Sequence, residues 1–461
     1  VPDDTASPDS LVMFRNSRGL AGRGTLLHLT RHQVALEVYN PYSIVQLSEM
    51  LEDVRILRRG YAIYRGKAVV QTLVPTGAVT IVSASLVDPW SDLGDVFDSD
   101  EVRTETERFI DTWTSGSELR PGYQLAVNRV TNFLQELSRW LGQAEALYTA
   151  QIGREPRQLF TEVWPPIEQK LAELFESFEL EAGRVPVDAI PNHKAFAQRE
   201  LHPLLMCDPF MHRTFTKPLG YAGDYQIVNI MLEAKEVTTT AYASVVSAFH
   251  LTRPPAVAHR NRVQRLEELL SREARRRAEA GGRLRVLNVG CGPALEIERF
   301  IASGSDAAGV SLTLVDFNEE TLAFAAEHLQ KARERSKMDV EIATVHQSIH
   351  ELLKAAANGQ SSLVGEYDFV YCAGLFDYLS DRVCTRLVQL FYEWTTAGGL
   401  VVTTNVHSRN PFRHYMAHVG EWYLEHRDEL QFLKLAGGKP ALVTADATGV
   451  NLFLELRKPP A

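Results

Sequence analysis

Asn288-Val-Gly-Cys-Gly-Pro-Ala-Leu-Glu296 is the stretch whose residue types and spacing bear most directly on chemistry. Gly290 and Gly292 let the backbone turn with no side chain in the way, so a nucleoside can lie directly against the chain. A dinucleotide fingerprint would add a third glycine close to Leu295 and seat a pyrophosphate on the helix N-terminus; that glycine is missing. The next apolar run ends in Leu314-Val-Asp316, an acid spaced to accept both ribose hydroxyls, or more simply to cap the helix beyond Phe317-Asn318. After a third run, His346-Gln-Ser-Ile349 offers Gln347 or Ser348 to an adenine amine. A fourth run leads into Ala373-Gly374, a glycine exit that opens the sheet edge over a ligand.

These residues need an alternating architecture to bring them together. From about Arg283 the sequence predicts strands at Leu284–Val289, Leu312–Val315, Val340–Val345, Tyr367–Cys372 and Gly398–Thr404. Helices are predicted between them, and a late strand at Gly449–Arg457. Such alternation means a parallel sheet with crossover helices and a ligand beyond the carboxyl ends of its strands. Upstream, Val127–Leu147 carries apolar residues at three- and four-residue steps, an amphipathic helix repeated by Ile167, Leu171, Leu174 and Phe175. Further upstream the period falls to two. Gly24–Arg31, Gln33–Tyr39, a hairpin turning at Arg65-Gly66, and Val79–Ser83 predict a small β-barrel. The expected organisation is a tail at 1–10, a barrel at 11–90, a helical lid or linker region at 100–250 and an α/β domain at 251–461. The acidic stretch Asp88–Asp100 reads as a linker.

Composition excludes several functions. The 461 residues carry a formal charge of −10, unsuited to non-specific nucleic-acid binding. The 4 cysteines form no CxxC pair, so a reduced, cytoplasmic setting is expected. No apolar run approaches the roughly 18 residues of a bilayer span, and the polar Val1–Ser10 is not expected to be a signal peptide. The histidines lack the spacing of a metal site, and no Gly-x-Ser-x-Gly elbow is present.

Gly290-Cys-Gly-Pro293, the acid after the second strand and Phe369-Val-Tyr-Cys-Ala-Gly-Leu375 together resemble class I S-adenosylmethionine-dependent methyltransferases, over about Arg283–Lys458. The resemblance implies a Rossmann-like seven-stranded sheet. It also implies S-adenosyl-L-methionine held by Asn288, Gly290, Gly292, Pro293, Asp316, Phe317, Asn318, Gln347, Ser348, Ala373 and Gly374. Thr216-Lys-Pro-Leu-Gly-Tyr-Ala-Gly-Asp-Tyr225, Asn405–Arg413 and Glu421–Arg427 are similar to the bacterial methyltransferases that make 3-hydroxy fatty acid methyl esters. That likeness implies a small-molecule carboxylate acceptor, lipid-like in character. Tyr221, Tyr378, His407 and Arg409 are the acceptor-side candidates. Tyr221 and Asp224 could also close over the cofactor, with Asp224 on its amino group or ending a turn, and Arg262 could face its carboxylate or stand on a solvated helix face. The N-terminal strands resemble a PilZ-type barrel. Arg15, Arg18 and Arg23 offer cations, but the second cyclic di-GMP motif is absent where Leu29-Thr-Arg-His-Gln33 stands, so a structural or interaction role is expected. Self-association is left open.

Overall fold

Alternation along Gln33–Val38 puts Val34, Leu36 and Val38 on one buried face, as a pleated strand requires. The computed structural model describes residues 10–38, 45–58, 61–76, 79–88, 107, 119–147, 156–233, 240–304, 309–336, 338–361, 363, 365 and 367–460. Residues 1–9 and most of the acidic stretch after Asp88 therefore lie outside the described residues. The strands β1 (Ser10–Arg15), β2 (Ala21–Leu29), β3 (Gln33–Val38), β4 (Met50–Arg58), β5 (Tyr61–Pro75) and β6 (Thr80–Leu86) close into a barrel. Their order is β1-β2-β3-β6-β5-β4, antiparallel throughout, around Val12, Phe14, Val34, Leu36, Ile56, Val70 and Val82.

The hairpin expected at Arg65-Gly66 does not form. β5 runs straight through, with Gly66 opposite Val54 of β4. The glycine serves a close approach instead. A Cβ there would come within 2.6 Å of Asp88 Cβ and 2.8 Å of the Tyr64 hydroxyl. The Asp88 carboxylate needs that gap to accept the Lys67 N–H at 2.6 Å.

The helices are α1 (Pro121–Leu147), α2 (Pro156–Ala182), α3 (Ile190–Leu205), α4 (Pro209–Thr216), α5 (Tyr225–Glu233), α6 (Ala241–Thr252) and α7 (Pro254–Glu279). They continue with α8 (Leu295–Ala302), α9 (Glu319–Arg335), α10 (Ile349–Ala357), α11 (Asp381–Trp394), α12 (Arg413–His418) and α13 (Glu429–Lys434). The chain divides into two compact units, each built from three stretches. The first comprises Val1–Ala222, Lys235–His250 and Pro411–Tyr423; the second comprises Gly223–Ala234, Leu251–Asn410 and Leu424–Ala461. The barrel and the helical region thus share one unit, and α12 joins them from far along the chain.

In the first unit the amphipathic face of α1 (Val130, Leu134, Leu141) packs with Phe175 and Phe178 of α2, Leu201 of α3, Phe249 of α6 and Tyr415 of α12. A buried polar relay ties these helices. Asp208 caps α4 by accepting from Phe210 N–H at 3.2 Å, and its other oxygen lies 2.6 Å from His250 Nδ1. His250 Nε2 lies 2.6 Å from the Tyr415 hydroxyl.

The second unit is a seven-stranded sheet of β7 (Leu284–Val289), β8 (Val310–Asp316), β9 (Val340–His346), β10 (Tyr367–Cys372), β11 (Thr395–Val406), β12 (Leu442–Ala445) and β13 (Asn451–Arg457). Their order is β12-β13-β11-β10-β7-β8-β9; β7 to β11 are parallel, and β13 runs antiparallel to β11 and β12. Both faces are covered, which explains the near-continuous apolar strands. One face packs Leu266, Leu270, Ile297, Phe300 and Leu322 against Val286 and Val402, and the other packs Leu352, Leu387, Phe391 and Phe432 against Leu287 and Val401.

Gly66→Ala should lower the denaturation midpoint of the barrel, by about 1–3 kcal/mol, because the added methyl overlaps atoms close to the backbone. A turn glycine with free space would tolerate the same change, so an unchanged midpoint in chemical denaturation would refute the close-approach account.

Candidate functional site

The strand order reverses between β7 and β10, and the crevice of such a sheet opens at the carboxyl ends of that pair. Gly290 (φ +70°) and Gly292 (φ +53°) turn the chain out of β7 in backbone conformations that side chains disfavour. A Cβ on Gly290 would press within 3.2 Å of Leu375 on the β10 exit, whereas a Cβ on Gly292 meets nothing within 4 Å. The backbone of Gly292 therefore faces open space. Ala294, not Leu295, holds the next left-handed position (φ +53°), where the missing third glycine would relieve strain.

The turn is fastened to the tip of β8. Gly290 and Cys291 N–H groups donate to Val315 O at 2.8 and 3.1 Å, and Gly292 N–H donates to Asp316 Oδ2 at 3.2 Å. Asp316 Oδ1 accepts from Asn318 N–H at 3.0 Å, but the cap of α9 is the Asn318 side chain, which accepts from Thr321 N–H at 2.9 Å. Asp316 therefore bonds the backbone just ahead of α9, as the simpler expectation had it, while the cap position itself belongs to Asn318. The Asp316 carboxylate is buried at the carboxyl end of β8, and burial raises its pKa while the Asn318 and Gly292 N–H bonds oppose the rise. Asp316 O accepts Gln347 N–H at 2.9 Å, which joins the β9 exit to the same corner. The Gln347 Oε1 is buried and has no hydrogen-bond partner, an acceptor suited to an amine. Ser348 differs: its hydroxyl is committed to the capping box of α10, donating to Glu351 Oε2 at 2.7 Å.

On the other side of β7, Arg262 of α7 is only 9% exposed. It is no solvated helix face. Its guanidinium nitrogens lie 3.0 Å from where a Cβ on Gly374 (φ +90°) would stand, so that glycine exit is filled by a cation. Nη2 bonds the His259 ring, 2.8 Å from Nε2, and burial beside this arginine and Arg260 drives the His259 pKa well down. Among the described residues no carboxylate reaches Arg262 within ion-pair distance, although Asp377 and Glu296 act on it from further away. Glu296 is itself engaged, accepting from the Tyr371 hydroxyl at 2.7 Å, while Asn288 Nδ2 donates to that same hydroxyl at 2.9 Å. Glu296, Tyr371, His259 and Asp377 escaped sequence reasoning. Glu296 stood inside the glycine motif, and Asp377 three residues past Gly374, but neither position alone signals burial.

The acceptor-side candidates separate. Tyr378, half-buried at the end of the turn after β10, lies where its phenol influences Arg262. His407 is buried past β11: Nδ1 accepts Arg409 N–H at 2.8 Å, and Nε2 lies 3.0 Å from Glu429 Oε2 but makes no hydrogen bond among the described residues. Arg409 is exposed and pairs with the same glutamate at 3.0 Å. Both side chains thus lie against Glu429 at the start of α13. The Lys-Pro-Leu-Gly segment divides between the units after Ala222. Tyr221, half-buried, stays in the first unit. In the second, Asp224 accepts from Gln226 and Ile227 N–H, both at 3.0 Å, and so starts α5; of its two expected roles the structure shows the turn-ending one. Tyr225 donates to Glu320 at 2.7 Å and packs on Phe324, seating α5 against α9. Pro293 is buried in the turn, and Phe317 O lies 2.8 Å from His346 Nε2.

Among the described residues no group of His, Cys, Asp or Glu could hold a metal, and no helix is long and apolar enough to cross a membrane.

The sequence matches no protein-family profile and no curated protein. It is similar to several solved structures. A Bordetella parapertussis protein called a possible exported protein is 18% identical, covering 52% of this chain and 81% of its own with a TM-score of 0.42. Magnesium protoporphyrin IX methyltransferase from Synechocystis, with bound S-adenosylhomocysteine, is 14% identical over 44% of this chain and 84% of its own, at a TM-score of 0.32. The N-methyltransferase NodS of Bradyrhizobium japonicum is 16% identical over 51% of this chain and 98% of its own, at 0.31.

Asp377 sits beneath this crevice with Oδ1 on Val406 N–H at 2.6 Å, and burial pushes its pKa up to about 6 despite Arg262 and Arg427. Between pH ~4 and ~6 the folded state then holds a proton that the unfolded chain has released, so stability falls as pH rises through this window. Asp377→Asn keeps the acceptor and should remove the slope, about 1.4 kcal/mol for each tenfold difference in proton affinity between the folded and unfolded chain. Urea titrations at pH 4.5 and 7 giving both proteins the same pH dependence would contradict this.

Proposed function

We propose that this chain is an S-adenosylmethionine-dependent methyltransferase that forms a methyl ester on a small-molecule carboxylate, a 3-hydroxy fatty acid being the preferred class. The observation that carries the reading is the convergence at one switch point of three features. These are the open face of Gly292, the buried carboxylate of Asp316, and a buried Arg262 that no carboxylate among the described residues reaches within ion-pair distance. They match the donor's chemistry in order: a nucleoside against bare backbone, a diol on a carboxylate, and an amino-acid carboxylate on a guanidinium. The orphaned Gln347 Oε1, tied through its own N–H to Asp316, supplies an acceptor for the adenine amine. Ser348 drops from that set because its hydroxyl is spent on the helix cap.

When bound, the donor supplies an electrophilic methyl on a sulfonium. The chain's part is to bind, orient and dry the site. A fatty carboxylate is ionised near pH 7 and needs no general base. Alignment and exclusion of water then carry the acceleration. Tyr378 is the acceptor-side residue best supported, a neutral phenol near the cation. A neutral donor suits a nucleophile whose charge disappears in the product, because a strong ion pair would stabilise the ground state. The barrel is a scaffold in this reading, since Ser48, Gln71 and Ser85 spend their polar groups inside their own unit.

Asp316→Ala should weaken binding of S-adenosylhomocysteine about 30-fold or more by calorimetry, through loss of two hydrogen bonds to a charged group. Arg262→Met should weaken it comparably while the protein stays folded. Wild-type affinity in both variants would reject the assignment. Turnover with labelled donor on amines or phenols, but on none of a panel of 3-hydroxy acids, would reject the acceptor class alone.

A further inference from the structure

Two prolines open α7, and the helix then buries Ala258, Arg262, Leu266, Leu269 and Glu273 as one stripe while packing on β7, β10 and β13. A cation in such a stripe costs free energy unless something holds it. Arg262 has five N–H donors to place and, among the described residues, a single hydrogen-bond partner. That partner is the ring of His259, three residues earlier on the same helix and so on the same face. Nη2 lies 2.8 Å from its Nε2 and 3.2 Å from its Nδ1, and either neutral tautomer turns an acceptor toward the guanidinium. The half-buried imidazole stays neutral, because desolvation, Arg262 and Arg260 all disfavour a second proton on it.

A second element limits the same cation. Nη1 and Nη2 both stand 3.0 Å, and Cζ 3.2 Å, from the position a Cβ on Gly374 would take, so the guanidinium uses the space that any other residue at the β10 exit would fill. The acids that act on Arg262 are committed elsewhere. Asp377 accepts Val406 N–H at 2.6 Å, and Glu296 accepts the Tyr371 hydroxyl at 2.7 Å. Nε and Nη1 of Arg262 donate to nothing among the described residues, and neither is sealed from solvent. One end of the group is thus fixed and the rest is left for a ligand.

We propose that His259 is a positioning residue for the methyl donor: it holds Arg262 through Nη2 and leaves Nε and Nη1 to the donor's amino-acid carboxylate. The proposal rests on the cofactor reading above and names the residue that makes its cation usable. The side-chain type follows from the chemistry. A carboxylate in place of His259 would pair with Arg262 and cancel the charge that the donor needs. An aliphatic residue would leave a long side chain free among its rotamers, and the ligand would bear the cost of ordering it. A neutral acceptor one turn away fixes the guanidinium and keeps its charge whole.

The test is calorimetric and uses the full chain with two probes. One is S-adenosylhomocysteine; the other is its decarboxylated analogue, S-adenosyl-3-thiopropylamine, which keeps the nucleoside and the amine but has no carboxylate. His259→Leu should weaken the first about tenfold and leave the second unchanged. His259→Gln, which restores a neutral acceptor, should recover most of that loss. In an Arg262→Met background His259→Leu should cost nothing further, because the histidine acts only through the guanidinium. His259→Phe takes the place of the leucine variant if that one does not fold. Equal losses for both probes, no loss for either, a glutamine variant no better than leucine, or losses that add in the double variant overturn the proposal. A wild-type chain that binds neither probe removes the cofactor reading and this proposal with it. Tight wild-type binding with variants that fail to discriminate the probes removes the positioning role alone.

Discussion

The candidate site depends on a backbone fastening: the amides of Gly290, Cys291 and Gly292 are donated to the end of β8. Those bonds clamp the tips of two adjacent parallel strands, so the open face of the glycine turn and the Asp316 carboxylate keep a fixed separation. The positive φ angles make this geometry available, and the close approach of Leu375 limits the choice at Gly290 to a residue without a side chain. Preorganisation of this kind spares a ligand the cost of ordering its own receptor.

Much of the α/β unit was legible because its strands are buried on both faces and read as short apolar runs between helical periods. Leu284–Val289 and Tyr367–Cys372 have the bounds expected of them. β12 was missed since Leu442–Ala445 is a four-residue edge strand too short to show alternation. The barrel was legible in kind, but β4 and the continuity of β5 were not. A glycine demanded by a neighbour 22 residues away looks the same in sequence as one demanded by a turn.

The site shows the same split between local and distant information. Gly290, Gly292 and Asp316 stood out in the sequence because a strand-turn-helix carries its own spacing. His407 and Arg409 were read as chemistry on position alone, and only the fold reveals that Glu429 takes up both side chains. Ser348 and Asp224 illustrate a related ambiguity: a small polar residue before a helix serves its amides first. Arg262 could be resolved only in three dimensions, since a cation on an arginine-rich helix reads as solvated until the face that carries it is seen to be buried.

The interleaving of the two units bears on how the chain comes to be folded. Tyr415 and Val419 complete a helical core that begins at Tyr123, so helices α1 to α6 lack part of their interior until α12, more than 150 residues beyond α6, has been made, whereas the barrel closes on its own core by Leu86. No single cut along the sequence would release either unit with all its stretches.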